Sequence, residues 1–215
     1  GLVQAEAQQR LQALAHELAG HAPVEVQTHL TTGHAVDEVI RTRRTSLLVD
    51  PDDPIPDELI ERLLELATWA PNHKRTWPWR FTVVTGTARH RLGEALAAVA
   101  PSLGVPFDKV AKLRTKYARS AAVVLVWVKV DAQPMRARED RDAVAAAVQN
   151  LLLAATSFGL GNYWATVPEV LEDAVRRFAH LDDGHDLVAL VYLGWPTGTV
   201  AAPQRPRPQV TWLDT

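Results

Sequence analysis

Short strand-forming runs separated by helices of unequal length predict a mixed α and β domain, an α+β fold. The regular strand–helix–strand spacing of a dinucleotide-binding sheet is missing. Three observations carry this expectation. Residues 121–130, Ala-Ala-Val-Val-Leu-Val-Trp-Val-Lys-Val, are strongly strand-forming with little alternation, the pattern of a strand buried on both faces. A second such run, 187–193, is stopped by Gly194-Trp-Pro196. Residues 140–158 form the longest helical stretch, and its many alanines permit close approach of another element, either as the spine of the core or as a dimer seam.

Taken in order, Leu2, Leu11, Leu14, Ala15 and Leu18 recur at helical spacing, so residues 3–19 read as an amphipathic helix stopped by Gly20. Residues 23–33 are either a short strand or an extended connector. Residues 1–33 are thus expected to be a helical extension to a domain spanning 34–215. A helix over 35–43 ends in the cationic cluster Arg41-Thr-Arg-Arg-Thr45, and the acidic, proline-punctuated stretch 50–56 is a loop. Asp57 is placed to cap a helix over 57–68. A strand over 81–85 leads to a helix over 88–99, which 101–106 breaks, and a basic helix follows with Lys109, Lys112, Arg114 and Lys116. Residues 131–138 read as a loop. Gly159 and Gly161 end the long helix, 162–167 is extended, and Pro168 starts a helix over 169–178. Pro203, Pro206 and Pro208 keep the tail, 202–215, from being helical over most of its length, so it reads as an extended arm.

The chain has 215 residues, 47% hydrophobic and 22% charged, enough for one domain with a full core or a domain plus an extension. A net charge of -2 gives no basic excess, so nucleic acid is not an expected partner. With no cysteine there is no disulfide, thiolate nucleophile or Cys-based metal site, which fits a reducing, cytoplasmic location. The longest apolar run, 121–128, is far short of the ~20 residues that span a bilayer, so no membrane association is expected. The opening residues lack the features of a signal peptide, and an initial Gly1 points to a trimmed N-terminus. No two histidines share a helix face with a carboxylate, no metal site is expected, and no serine sits in a nucleophile elbow. Gly159-Leu-Gly161 begins like a dinucleotide fingerprint, but Trp164 stands at the third glycine and a helix precedes it, so the pair reads as a helix cap.

The most unusual stretch is Trp69-Ala-Pro-Asn-His-Lys-Arg-Thr-Trp-Pro-Trp-Arg-Phe81, which holds three of the seven tryptophans, a histidine and three cations. Pro71 and Pro78 make it a rigid loop, and its flat aromatic faces and N–H donors suit a planar, polar-edged ligand. Arg41, Arg43 and Arg44 with Thr45, and Arg205 and Arg207 in the tail, supply guanidinium forks that match phosphate oxygens. A phosphate, a planar ring and aromatic neighbours together suggest flavin mononucleotide (FMN).

Several motifs in series then carry a resemblance over residues 35–213. They are Arg43-Arg-Thr45, Ala70-Pro-Asn-His-Lys74, Pro78-Trp-Arg-Phe81, Phe158-Gly-Leu-Gly-Asn-Tyr-Trp164, Tyr192-Leu-Gly-Trp-Pro196 and Arg205-Pro-Arg-Pro208. In this series the chain resembles the nitroreductase family of flavin enzymes, in particular its small YdjA-like members. The resemblance implies a central, mostly antiparallel sheet flanked by helices and an obligate homodimer with FMN in the interface, the C-terminal arm crossing to the partner. It implies that Arg43, Arg44 and Thr45 hold the FMN phosphate or ribityl chain, with Arg205 and Arg207 at the family's C-terminal phosphate-binding positions. His73 would reach the flavin from the other subunit, and Trp164, Ala165 and Thr166 would lie along the ring near its reactive nitrogen. Thr45 replaces the commoner serine and keeps the hydroxyl. Trp69 and Trp77 replace polar family residues and are the candidates for the substrate pocket, while Trp79 is expected to be a structural anchor. The implied activity is ping-pong transfer from NADH or NADPH to a nitroaromatic, quinone or related small acceptor, with no catalytic side chain identified. The alternative is a non-catalytic FMN-binding protein of the same fold, for storage or sensing, in which the two tryptophans close the nicotinamide site.

Overall fold

The computed structural model describes residues 35–213; the expected helix over 3–19 and the whole extension 1–33 lie outside them. Helix α1 (Ala35–Thr42) carries an Arg41–Asp37 ion pair one turn apart, at 2.8 Å. The remaining α-helices and β-strands are β1 (Val49–Asp50), α2 (Asp57–Ala67), β2 (Trp79–Thr85), α3 (Ala88–Val99), α4 (Phe107–Lys116), β3 (Ala122–Lys129), α5 (Pro134–Ser157), β4 (Gly161–Ala165), α6 (Glu172–Phe178) and β5 (His185–Pro196), with short 3-10 turns at His73–Arg75, Ala100–Leu103 and Glu169–Leu171. The strands form a five-stranded sheet in the order β1-β5-β3-β2, with β4 also paired to β5, and every strand pairing is antiparallel. This is the expected α+β architecture with a central antiparallel sheet. No described helix is long and apolar enough to cross a membrane.

Strand β3 shows why the sequence run lacks alternation. Ala122 to Val128 are all buried, and successive side chains point to opposite faces. Val124 and Val126 join α2 and α5 in one apolar cluster, whereas Val123, Leu125 and Trp127 join α3, α4 and α6 in the other. Helices therefore cover both faces of the sheet. Helix α5 is the spine of the first layer, with Val144, Ala147, Val148, Leu151 and Ala155 buried against the sheet and α2.

Several boundaries differ from the sequence expectation. Helix α5 begins at Pro134, six residues before the predicted start, because proline at the first position pre-sets φ while the Ala137 N–H reaches the Gln133 carbonyl at 2.9 Å. The added turn is mostly solvent-facing, with Met135 77% exposed, so it shows no apolar period. Asp57 does not cap α2; Pro56 occupies the cap position and its carbonyl accepts the Leu59 and Ile60 N–H groups, leaving Asp57 and Glu58 to complement the helix dipole. Strand β2 starts two residues early, at Trp79, where the Lys129 N–H meets the Pro78 carbonyl at 2.7 Å.

The two glycines after α5 have separate roles. Gly159 has φ +78° and closes the helix: its N–H bonds Thr156 O at 3.0 Å and the Leu160 N–H bonds Ala155 O at 2.8 Å, the paired bonds of a Schellman cap. Gly161 instead opens β4, and a Cβ there would lie 2.6 Å from Val49 Cγ1. Gly194 faces the same valine, with a Cβ position 2.8 Å from Val49 Cβ. Residues 197–213 form no helix or strand and are exposed, in keeping with the expected extended tail.

Candidate functional site

The tryptophan-rich loop leaves α2 through Thr68, whose hydroxyl donates to Glu65 O at 2.7 Å. Trp69 is 75% exposed and donates its indole N–H to Glu65 Oε1 at 2.6 Å. Lys74, Arg75 and Trp77 then adopt left-handed φ values of 62°, 54° and 48°, a conformation costly for residues with side chains. A polar node holds it. Asn72 Oδ1 accepts the Trp77 N–H at 2.9 Å, Asn72 Nδ2 donates to Thr76 Oγ1 at 3.0 Å, and the Thr76 hydroxyl donates to the buried Asp140 carboxylate of α5. Trp79 is buried and meets Trp77 edge to face, with ring centroids 5.7 Å apart. Trp69, His73 and Trp77 are presented outward, and His73 Nδ1 lies 2.9 Å from Glu139 Oε2.

At the opposite end of α5 the structure brings together three arginines from distant parts of the chain. Thr45 bridges Asn162 of β4 in parallel, and the Ser46 N–H donates to Asn162 O at 2.9 Å, fixing the arginine segment to the sheet edge. Arg43 Nη1 donates to Thr45 Oγ1 at 3.4 Å and Arg44 Nη1 to Arg43 O at 2.9 Å. The Arg43 pKa is lowered by partial burial, then by Arg205, then by Arg44, so the tail cation stands within electrostatic reach of the pair. Among the described residues, no carboxylate offsets them at Arg43. Arg44, Ser46, Thr156, Asn162 and Thr199 are among the residues around an adjoining cleft of about 250 Å³. Arg207 is exposed and joins no hydrogen bond or ion pair among the described residues.

Trp164, Ala165 and Thr166 line a second cavity of about 310 Å³, with Leu47, Lys116, Arg119, Tyr163 and Tyr192. Tyr192 stacks on Tyr117 at 6.4 Å and meets Tyr163 edge to face at 5.9 Å. Burial pushes the hydroxyl pKa of both Tyr117 and Tyr192 upward, and Tyr117 adds to the shift at Tyr192. Sequence reasoning noted the basic helix but not that Lys116 and Arg119 border this cavity. Asn162 was also missed; it is 1% exposed, donates to Leu152 O at 3.2 Å and Thr156 Oγ1 at 3.0 Å, and anchors β4 to α5.

The expected site residues therefore fall in three places within one chain. Arg43, Arg44, Thr45 and Arg205 cluster; Trp164, Ala165 and Thr166 line the neighbouring cavity; His73, Trp69 and Trp77 sit on the loop beside the start of α5. His73 contacts Glu139, whereas the arginine cleft is bordered by Thr156. At 1.5 Å rise per residue, those two points on α5 are separated by about 25 Å.

With this geometry in view, the comparisons with known proteins are consistent. The sequence profile of the nitroreductase family matches residues 40–195. YfhC of Bacillus subtilis (strain 168), provisionally named an NAD(P)H nitroreductase, is 29% identical over 174 residues, covering 79% of this chain and 89% of its own. A nitroreductase-like family protein from Bacillus cereus has a solved structure that superposes with a TM-score of 0.69 at 26% identity, over 85% of this chain and 95% of that one. A provisionally named nitroreductase from Desulfovibrio desulfuricans, solved in complex with FMN, gives a TM-score of 0.62 at 26% identity, over 81% and 94% of the two chains. The match runs from just before the Arg43–Thr45 segment to the end of the last strand, and the chain belongs to the nitroreductase family.

Proposed function

We propose that this chain is an FMN-dependent oxidoreductase that draws reducing equivalents from NADH or NADPH and passes them to a nitroaromatic, a quinone or a related small acceptor. The observation that carries the reading is the convergence of Arg43, Arg44 and Arg205 from opposite ends of the chain. Arg205 and Arg44 each repel Arg43, and a phosphate dianion would turn that repulsion into charge-assisted hydrogen bonding. The Thr45 hydroxyl adds a donor, and Arg207 adds a further cation on the same tail. When bound, FMN supplies two-electron transfer between reduced nicotinamide and the acceptor. Nicotinamide and acceptor would occupy the same space in turn, which gives ping-pong kinetics. The backbone N–H groups of Trp164, Ala165 and Thr166 would orient the ring and offer donors where negative charge develops.

The reading includes a homodimer. His73 and the arginine cleft are too far apart along α5 for one chain to bring both to one FMN, so a second copy would supply the His73 loop. The exposed apolar side chains of the tail, Val210, Trp212 and Leu213, likewise suit burial against a second copy. Trp69 and Trp77, on that loop, would then shape access for nicotinamide and acceptor. The loop's exposed tryptophans also favour the second reading, a non-catalytic FMN binder whose nicotinamide site they close.

Titration of the apoprotein with FMN, followed by NAD(P)H oxidation assays with a nitroaromatic and a quinone, tests the proposal. Stoichiometric FMN and turnover are expected. Protein that takes up no FMN and oxidises neither nucleotide contradicts it, and tight FMN without turnover selects the second reading.

A further inference from the structure

Lys74 and Arg75 hold a conformation that flavin binding and the expected reach of His73 leave unexplained. Both are exposed, and they take left-handed φ values of 62° and 54° in succession. Residues with side chains keep such backbone only where the surroundings over-determine it, and it gathers at ligand clamps. The surroundings do so here. The Asn72 carbonyl accepts the Arg75 N–H at 3.4 Å, its side-chain oxygen accepts the Trp77 N–H at 2.9 Å, and the Thr76 hydroxyl between them donates to buried Asp140 of α5. The result is two adjacent cations displayed without partners. Each carboxylate bonded to this loop is engaged by another residue: Glu65 by Trp69, Glu139 by His73 and Asp140 by Thr76. Neither Lys74 nor Arg75 forms a side-chain hydrogen bond or ion pair among the described residues. A guanidinium fork beside an ammonium matches a phosphate dianion. Trp69, 75% exposed with its indole N–H held by Glu65, gives the same loop a fixed aromatic face of the kind on which a purine stacks.

We propose that Lys74 and Arg75 form a site for the 2′-phosphate of NADPH, which makes NADPH the preferred reductant over NADH. The proposal rests on the reading that this loop of a second copy borders FMN. A dinucleotide whose nicotinamide lies on the flavin leaves its adenosine end outside the flavin site, and Lys74 and Arg75 are the cations that follow His73 on that rim.

Adenosine 2′,5′-bisphosphate and adenosine 5′-monophosphate, which differ by that one phosphate, are the probes, with dissociation constants measured by calorimetry on the FMN-loaded protein. The bisphosphate is expected to bind at least ~10-fold more tightly, the scale of a charge-assisted hydrogen bond. Lys74→Gln and Arg75→Gln should each weaken the bisphosphate about 10-fold and leave the monophosphate as in the parent. Lys74→Arg, which keeps the charge, should retain the preference. In turnover, the two Gln variants should raise KM for NADPH and not for NADH. Arg91→Gln removes an exposed cation on α3 and controls for overall charge; its bisphosphate affinity should match the parent's. Equal binding of the two probes by the parent, or bisphosphate affinity unchanged in both Gln variants, overturns the proposal. Equal weakening of both probes reassigns the cations to the 5′-phosphate end, and loss of FMN reassigns them to the cofactor; both results also overturn it, as does an equal loss in Arg91→Gln. If the parent protein takes up no FMN, the proposed oxidoreductase function fails first, and the same two probes on the apoprotein still show whether the 2′-phosphate site exists.

Discussion

Arg205→Gln separates a phosphate-binding cation from a surface charge, because its effect should change sign with the ligand. In the apoprotein, Arg205 lowers the Arg43 pKa by repulsion, so removing it relieves like-charge contact and should leave the thermal midpoint unchanged or higher. With FMN present, the same change removes a charge-assisted hydrogen bond, about 1.5–3 kcal/mol, or about 10- to 150-fold in Kd. At FMN 100 times the parent's Kd, the parent gains ~2.7 kcal/mol from binding and a variant weakened 100-fold gains ~0.4 kcal/mol. At ~2–4 °C per kcal/mol for a domain of this size, the two midpoints should differ by roughly 5–9 °C. The assay is a thermal melt of each protein with and without FMN, repeated with riboflavin, which lacks the phosphate. The variant's deficit should disappear with riboflavin. An apoprotein destabilised by the substitution, or a deficit equally large with riboflavin, refutes phosphate binding by this cluster.

Gly161→Ala would place Cβ 2.6 Å from Val49 Cγ1, so it should cost about 1–3 kcal/mol as overpacking, and adding Val49→Ala should recover part of the loss in urea unfolding. Asp140→Ala removes the acceptor beneath Thr76 and Asn72, and should cost about 1–3 kcal/mol while loosening the left-handed segment, seen as altered Trp77 fluorescence. Tyr117 and Tyr192 have folded-state pKa values raised above the ordinary 10.0, chiefly by burial, so the stability they contribute is present below pH 10 and is lost as pH rises beyond it. Urea midpoints should therefore fall as pH rises above about 10, less steeply in a Tyr117→Phe variant.

The strands and helices that pack on both sides of the sheet were legible because their apolar pattern is dense: β3 reads as buried on both faces and is. Boundaries were less legible where local backbone chemistry, not burial, decides them. The start of α5 is set by Pro134 in a largely exposed turn, and the start of α2 by a proline carbonyl instead of Asp57. Gly161 resembles Gly159 in sequence, yet Gly159 serves a left-handed cap while Gly161 serves the approach of Val49 from a strand more than 100 residues away. The arginine segments were recognisable as phosphate-matching groups, but their meeting required the Thr45–Asn162 bridge, a contact with no local signal. Lys116 reads as part of an ordinary basic helix, and only the fold brings it and Arg119 to one cavity with β4 and Tyr192. Left-handed Trp77 had no signal either, since asparagine and glycine, not tryptophan, mark such backbone.

The central claim is tested most directly by the visible spectrum of the purified protein, followed by anaerobic addition of NADH and of NADPH. A bound flavin band that bleaches with at least one nucleotide and returns on adding a nitroaromatic or quinone is the predicted result. A colourless protein that cannot be loaded with FMN, or loaded FMN that neither nucleotide reduces, would contradict the account.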